Sequence, residues 1–176
     1  MRKELLAVTL LAATAAAPAA AQGGFKVGFQ AGASLPMGDL ADAVGTGVGG
    51  GVTLMMRNPS SKVGFGIDAQ LHRFGYDEIA GIDLDANLNA YGAMARLEFA
   101  AGPGLYLLGG AGLFRQEVTG GDDFPDFGET TNTDFAVQAG AGFNFGPGIF
   151  VEGKLVNIFT ENEATRMIPL TVGIRF

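Results

Sequence analysis

The sequence predicts an all-β fold, an eight-stranded antiparallel up-and-down transmembrane β-barrel, and three observations predict it. Apolar and polar residues alternate on a two-residue period through most of the chain beyond residue 24. The connections alternate between tight turns and longer polar loops. The charges avoid the middle of the apolar strand face.

The first residues come before the fold. Arg2 and Lys3 begin the chain, Leu5 to Ala17 is a short apolar run, and Ala19-Ala20-Ala21 precedes Gln22. Positive charge, a short apolar stretch and small residues make a secretory signal peptide, too short to span a bilayer as a helix. Residues 1–21 are therefore expected to be removed, leaving 22–176 as one barrel domain. No later stretch is apolar for the 18 or so residues that a membrane helix needs. With no cysteine among 176 residues, disulfides, thiolate metal sites and thiol nucleophiles are excluded. An exported domain without disulfides finds another source of stability, and a closed hydrogen-bonded barrel supplies one. The formal charge of −7 becomes −8 without Arg2, Lys3 and Glu4, which argues against nucleic acid as a partner.

Strands are expected near 25–34, 44–56, 62–74, 84–100, 104–117, 133–146, 149–160 and 166–176. The alternation is plain in Phe25–Ala31, Val63–His72 and Ile168–Phe176, and cleanest in Phe135–Phe145. In 104–117 the Gly109-Gly110-Ala111-Gly112 stretch leaves the facing open. In 84–100 Asn87 and Asn89 share the parity of the apolar set Tyr91 to Phe99, which places them above the lipid or beyond a bulge. Gly45–Gly51 lacks the lysine of a phosphate-binding loop and reads as strand. Connections after strands two, four and six are tight: Arg57-Asn58-Pro59-Ser60-Ser61, Ala101-Gly102-Pro103 and Pro147-Gly148. The others are longer or more polar, the longest running from about Val118 to Asn132. Short turns at one end and long loops at the other is the arrangement of outer-membrane barrels, with the turns periplasmic.

Charge placement follows the same pattern. Of the 18 acids, Glu4 lies in the leader and fourteen sit in or beside the expected outer loops. The other three, Asp68, Glu98 and Glu152, have inward parity, as do Lys26, Arg96, Lys154 and Arg175. Arg57 and Lys62 flank the first tight turn. A charge in the middle of the lipid face would cost roughly 2–4 kcal/mol, and none falls there.

The small eight-stranded outer-membrane barrels, the group of the OmpA transmembrane domain, OmpX and the opacity proteins, are what the whole mature chain resembles. The most specific element is the final strand Leu170-Thr171-Val172-Gly173-Ile174-Arg175-Phe176, similar to the terminal signal of outer-membrane proteins. The resemblance implies that Leu170, Val172, Ile174 and Phe176 form an assembly signal read by the barrel-assembly machinery. Phe25 to Gly32, with its alternating glycines, resembles the first strand of these barrels. It further implies residence in a Gram-negative-type outer membrane, among lipid and lipopolysaccharide. The chain departs from the group in having 29 glycines, no tryptophan and only three tyrosines, so its aromatic girdles rest largely on phenylalanine.

Three constellations bear on chemistry. An eight-stranded lumen is only wide enough for side chains to fill it, so the inward Lys26, Asp68, Arg96, Glu98, Glu152, Lys154 and Arg175 must pair. Lys26, Glu152, Lys154 and Arg175 fall on strands one, seven and eight, which are neighbours once the barrel closes. A salt-bridge plug is the leading reading, a narrow channel the alternative, and paired catalytic carboxylates are disfavoured because each acid has a cationic neighbour. His72, the sole histidine, has inward parity, and Ser34, Ser60 and Ser61 are the only serines. A Ser–His–acid hydrolase acting on lipid would need the opposite facing, so His72 reads as an interior residue. The loop Gly120–Glu129 carries Asp122, Asp123, Phe124, Asp126 and Phe127. Its carboxylates suit a solvated acidic surface or divalent ions bridged to lipopolysaccharide, and its phenylalanines an extracellular partner. It lacks the helix–loop–helix calcium pattern. No cofactor and no metal site is expected, and a non-enzymatic barrel serving envelope integrity or surface interaction is the favoured function. A lipid-modifying enzyme is the rival from another class.

Overall fold

The computed structural model describes residues 24–76, 86–119, 131–146, 148–160 and 164–176. The leader and the Gly120–Glu129 loop, with Asp122, Asp123, Phe124, Asp126 and Phe127, lie outside the described residues.

Eight strands form one closed sheet, β1 (Phe25–Met37), β2 (Gly47–Met56), β3 (Val63–Gly75), β4 (Asn87–Ala100), β5 (Leu105–Thr119), β6 (Thr131–Phe145), β7 (Ile149–Phe159) and β8 (Ala164–Arg175). Each pairs antiparallel with its neighbours in chain order, and β1 closes on β8. The observed ends lie within three residues of those expected, and the fold class is the one the alternation predicts. The closing seam continues beyond β8, where Val27 and Phe176 exchange two backbone hydrogen bonds of 2.9 and 3.2 Å. Of the tight connections, Gly104, Gly146 and Gly148 take positive φ, which only glycine adopts without strain.

The outward face is what a lipid solvent requires. Phe65, Ile67, Leu71, Leu97, Leu107, Leu113 and Val172 each leave half or more of their surface uncovered by protein. No helix among the described residues is long and apolar enough to cross a membrane. The described outward residues of the strands are apolar except at their long-loop ends. There Arg73 Nε donates to Asn87 Oδ1 (3.2 Å), Asn89 Nδ2 to Thr119 Oγ1 (2.9 Å) and Arg166 Nε to Asn157 Oδ1 (3.0 Å). Asn87 and Asn89 are thus in unbroken register with β3 and β5, without a bulge. They belong to a polar belt above the apolar band.

The facing of β5 is settled by its neighbours. Tyr106, Leu108, Gly110, Gly112 and Phe114 turn inward, because Phe114 and Tyr106 are buried while Leu107 and Leu113 are exposed. Two features go beyond the sequence reading. A five-residue helix, α1 (Asp39–Ala43), follows Gly38, and its Leu40 and Ala43 pack over the outer end of the lumen. The lumen is also divided. Its outer half is an apolar cluster of Val44, Phe74, Leu88, Met94, Phe114, Ile158 and Met167 with smaller neighbours. Its inner half is polar.

Candidate functional site

The inner half of the lumen is assembled from inward positions on all eight strands. β3 supplies Asp68, Gln70 and His72; β4 supplies Arg96 and Glu98; β7 supplies Glu152 and Lys154; β8 supplies Thr171 and Arg175. Gln30, Thr53, Tyr106 and Gln138 come from β1, β2, β5 and β6. Such bulk fits because glycine stands opposite it. A Cβ at Gly142 would overlap the Tyr106 ring, and one at Gly173 the Phe150 ring.

Asp68 is the hub. It accepts from Arg96 Nη1 at 3.1 Å, Lys154 Nζ at 3.0 Å and Gln70 Nε2 at 3.1 Å, with longer bonds from Gln30, Gln138 and Thr53. Arg96 reaches across the lumen from β4 to β7 and grips Glu152 with both Nη atoms, at 3.0 and 2.5 Å. A bidentate fork of this kind is the strongest geometry an ion pair offers. Lys154 Nζ also lies 3.0 Å from Glu152 Oε1, and the Tyr106 hydroxyl donates to Glu152 Oε2 at 3.1 Å. Glu98 receives Arg96 (2.7 Å), Arg175 (2.9 Å) and Arg57 (3.0 Å). The side chains of Asp68, Arg96 and Glu152 are 0% exposed, and Lys154 and Glu98 are 1% and 2% exposed. Withdrawn from water, they are held by pairing, since lone charges there would cost several kcal/mol each.

Six of the seven residues expected to pair are joined in this way, and Lys26 is not. It has inward parity opposite Met55, but it stands exposed at the short-turn mouth and makes no ion pair among the described residues. Arg57, read from the sequence only as flanking a turn, joins the network through Glu98. The partners also differ from strand adjacency. Glu152 stands opposite Thr171, two inward positions above Arg175. Arg175 therefore pairs with Glu98 across the lumen, its guanidinium lying 4.8 Å from the Phe150 ring centroid and 5.4 Å from that of Tyr106. The uncharged Gln30, Gln70, Gln138 and Tyr106 were missed because the reading followed charges. Inward parity was the signal that marked the three glutamines, while Tyr106 lies in the strand whose facing the sequence leaves open.

His72 sits where the polar and apolar halves meet. Its Nδ1 is 2.7 Å from Ser34 Oγ, its Nε2 is 3.2 Å from Gln70 Oε1, and its ring stacks with Phe114 at 6.2 Å. A serine next to a histidine invites comparison with a hydrolase, but both residues are buried within the lumen and an amide oxygen occupies the place of the orienting carboxylate. Among the described residues no group of three or more histidines, cysteines and acids is placed to hold a metal.

Leu170, Val172 and Ile174 face outward in β8, and Phe176 follows them, all exposed on the lipid side. The family described as outer membrane protein beta-barrel domain matches residues 5–176. The chain belongs to this family. Membership carries location in the outer membrane.

Solved structures agree on the fold. The attachment invasion locus protein Ail of Yersinia pestis, solved with the heparin analogue sucrose octasulfate, is 18% identical over 88% of this chain and all of its own, with a TM-score of 0.60. The N-terminal β-barrel domain of Pseudomonas aeruginosa OprF is 20% identical over 88% of this chain and all of its own, with a TM-score of 0.59. Neisserial surface protein A is 19% identical over 87% of this chain and 96% of its own, with a TM-score of 0.57. No curated protein matches the chain.

Proposed function

We propose that this chain is a non-enzymatic outer-membrane barrel with a plugged lumen, exported by its N-terminal leader, which supports envelope integrity and meets the exterior through acidic loops. The observation that carries the reading is the pairing of Asp68, Arg96, Glu98, Glu152, Lys154 and Arg175 across the inner lumen, beneath an apolar layer closed by α1. Ions passing through would have to part these pairs and then cross a dry stretch around Phe74 and Phe114. The alternative, a narrow channel for small solutes, requires both obstacles to move.

The enclosed Ser34–His72 pair supports the non-enzymatic reading, because an acyl chain in the membrane meets only the outward face. For the loops, Asp122, Asp123, Asp126 and Glu129 disfavour a polyanion like the heparin analogue bound to Ail. They suit a cationic partner, or divalent ions shared with lipopolysaccharide phosphates, with Phe124 and Phe127 adding apolar contact.

Deleting the protein from its host should raise sensitivity to detergents and bulky dyes without slowing uptake of small solutes. Complementation with Ser34→Ala or His72→Ala should restore the barrier in full. Slower solute uptake in the deletion strain would favour the channel. Failure of the Ser34→Ala protein to complement, though folded and inserted, would favour the enzyme.

A further inference from the structure

The short-turn end of the barrel opens into a cavity of about 480 Å³ whose walls include Lys26, Arg57, Glu98, Asn144 and Arg175. Its charges do not balance. In the inner half of the lumen and at its mouth Lys26, Arg57, Arg96, Lys154 and Arg175 face Asp68, Glu98 and Glu152, five cations against three carboxylates. A surplus of two remains, or of one once the carboxylate at Phe176, on the cavity rim, is counted. The surplus lies entirely at this mouth, because the two innermost cations, Arg96 and Lys154, are bound to Asp68 and Glu152.

The two arginines at the mouth are held in place before any ligand arrives. Arg175 is fixed by two bonds to Glu98 and by the faces of Tyr106 and Phe150, and its buried Nε has no hydrogen-bond partner among the described residues. Arg57 is tied to the same carboxylate and left 30% exposed. Glu98, already accepting from three arginines, has nothing left to offer Lys26. A concave, part-enclosed wall with a net positive charge concentrates anions more strongly than the same charges on a convex surface.

We propose that the short-turn mouth is an anion-binding site for a phosphate or carboxylate group, with Lys26 and Arg57 as its principal ligands and Arg175 as a fixed charge behind them. The cavity lies on the barrel axis and opens to the aqueous compartment below the membrane, so its ligand is a dissolved anion or a peptide carboxylate and not a headgroup of the surrounding lipid. The site is independent of whether the lumen conducts.

The test is titration of the folded protein in detergent micelles with inorganic phosphate at constant ionic strength, followed by amide chemical shifts. Saturable shifts are expected at Arg57, Asn144, Gly148 and Phe176. Lys26→Gln should weaken binding about tenfold, the worth of one charge-assisted hydrogen bond, and Lys26→Arg should largely retain it. Arg57→Gln should weaken binding as well, while Arg73→Gln, in the outer polar belt, should leave it unchanged. Lys26 has no ion pair among the described residues, so its replacement does not disturb the folded network. Absence of saturation, equal affinity in Lys26→Gln, or equal loss in Arg73→Gln would each overturn the assignment.

Discussion

Replacing Glu152 by glutamine removes one of three carboxylates sealed in the lumen and leaves its partners in place. Before the change, Asp68, Glu98 and Glu152 face Arg96, Lys154 and Arg175, three charges against three, none more than 8% exposed. Afterwards three cations face two carboxylates, and Lys154 must rely on Asp68 alone, whereas Arg96 keeps both Asp68 and Glu98. Stranding a charge in a buried pair costs about 3–5 kcal/mol. The glutamine oxygen still accepts from Arg96 and water enters from the short-turn mouth, so about 3 kcal/mol is the expected loss. The geometry also names the rescue. Lys154→Met in the Glu152→Gln background removes the stranded cation and should restore about 1–2 kcal/mol. Arg175→Met should restore much less, because Arg175 serves Glu98 and not Glu152. Urea unfolding in lipid vesicles measures all four proteins. It is followed by circular dichroism and the gel mobility of unheated samples, since the chain has no tryptophan. A loss below about 1 kcal/mol for Glu152→Gln, or equal rescue by the two methionines, would refute the pairing as drawn.

Three further outcomes are expected. Gly142→Val forces a side chain into the Tyr106 ring and should cost about 1–3 kcal/mol by overpacking. Gly109→Val, on the lipid side with its nearest neighbour 3.8 Å away, should be close to neutral in the same unfolding assay. Phe176→Ala keeps both backbone bonds to Val27 and removes a ring that is 62% exposed. It should leave stability in detergent nearly unchanged while lowering insertion in cells, as judged by the fraction of folded protein in outer-membrane extracts. N-terminal sequencing of that material should read from Gln22 or close to it.

The barrel was legible because a strand has only two faces, and a lipid solvent makes them opposite in character. Once Phe65, Ile67 and Leu71 are placed outward, Asp68, Gln70 and His72 can only point in. The same parity put Phe74 and Ile158 in the lumen. Attention to charge passed over them, since apolar residues on both faces blur the alternation at the long-loop end. The facing of β5 was undecided because glycine and alanine carry no side chain to declare a side; pairing with β4 and β6 decides it. Helix α1 is one short turn whose apolar residues, Leu40 and Ala43, make sense only against the lumen they cover. Membership of the ion network followed from parity, but its pairing did not. Strand adjacency suggested Arg175 beside Glu152, whereas reach across a narrow lumen joins β4 to β7 and β8 to β4. Lys26 shows the limit of parity, which gives a direction but not a depth.

Planar-bilayer recording of the refolded, unmutated barrel tests the plugged lumen most directly. With Arg96 bound to Asp68, Glu98 and Glu152, and the apolar layer of Phe74, Phe114 and Ile158 above it, the baseline should stay flat at ordinary voltages, and Glu152→Gln should change stability without opening a path. Sustained, reproducible single-channel conductance from the unmutated protein would contradict the plug and make the inner charges the lining of a pore.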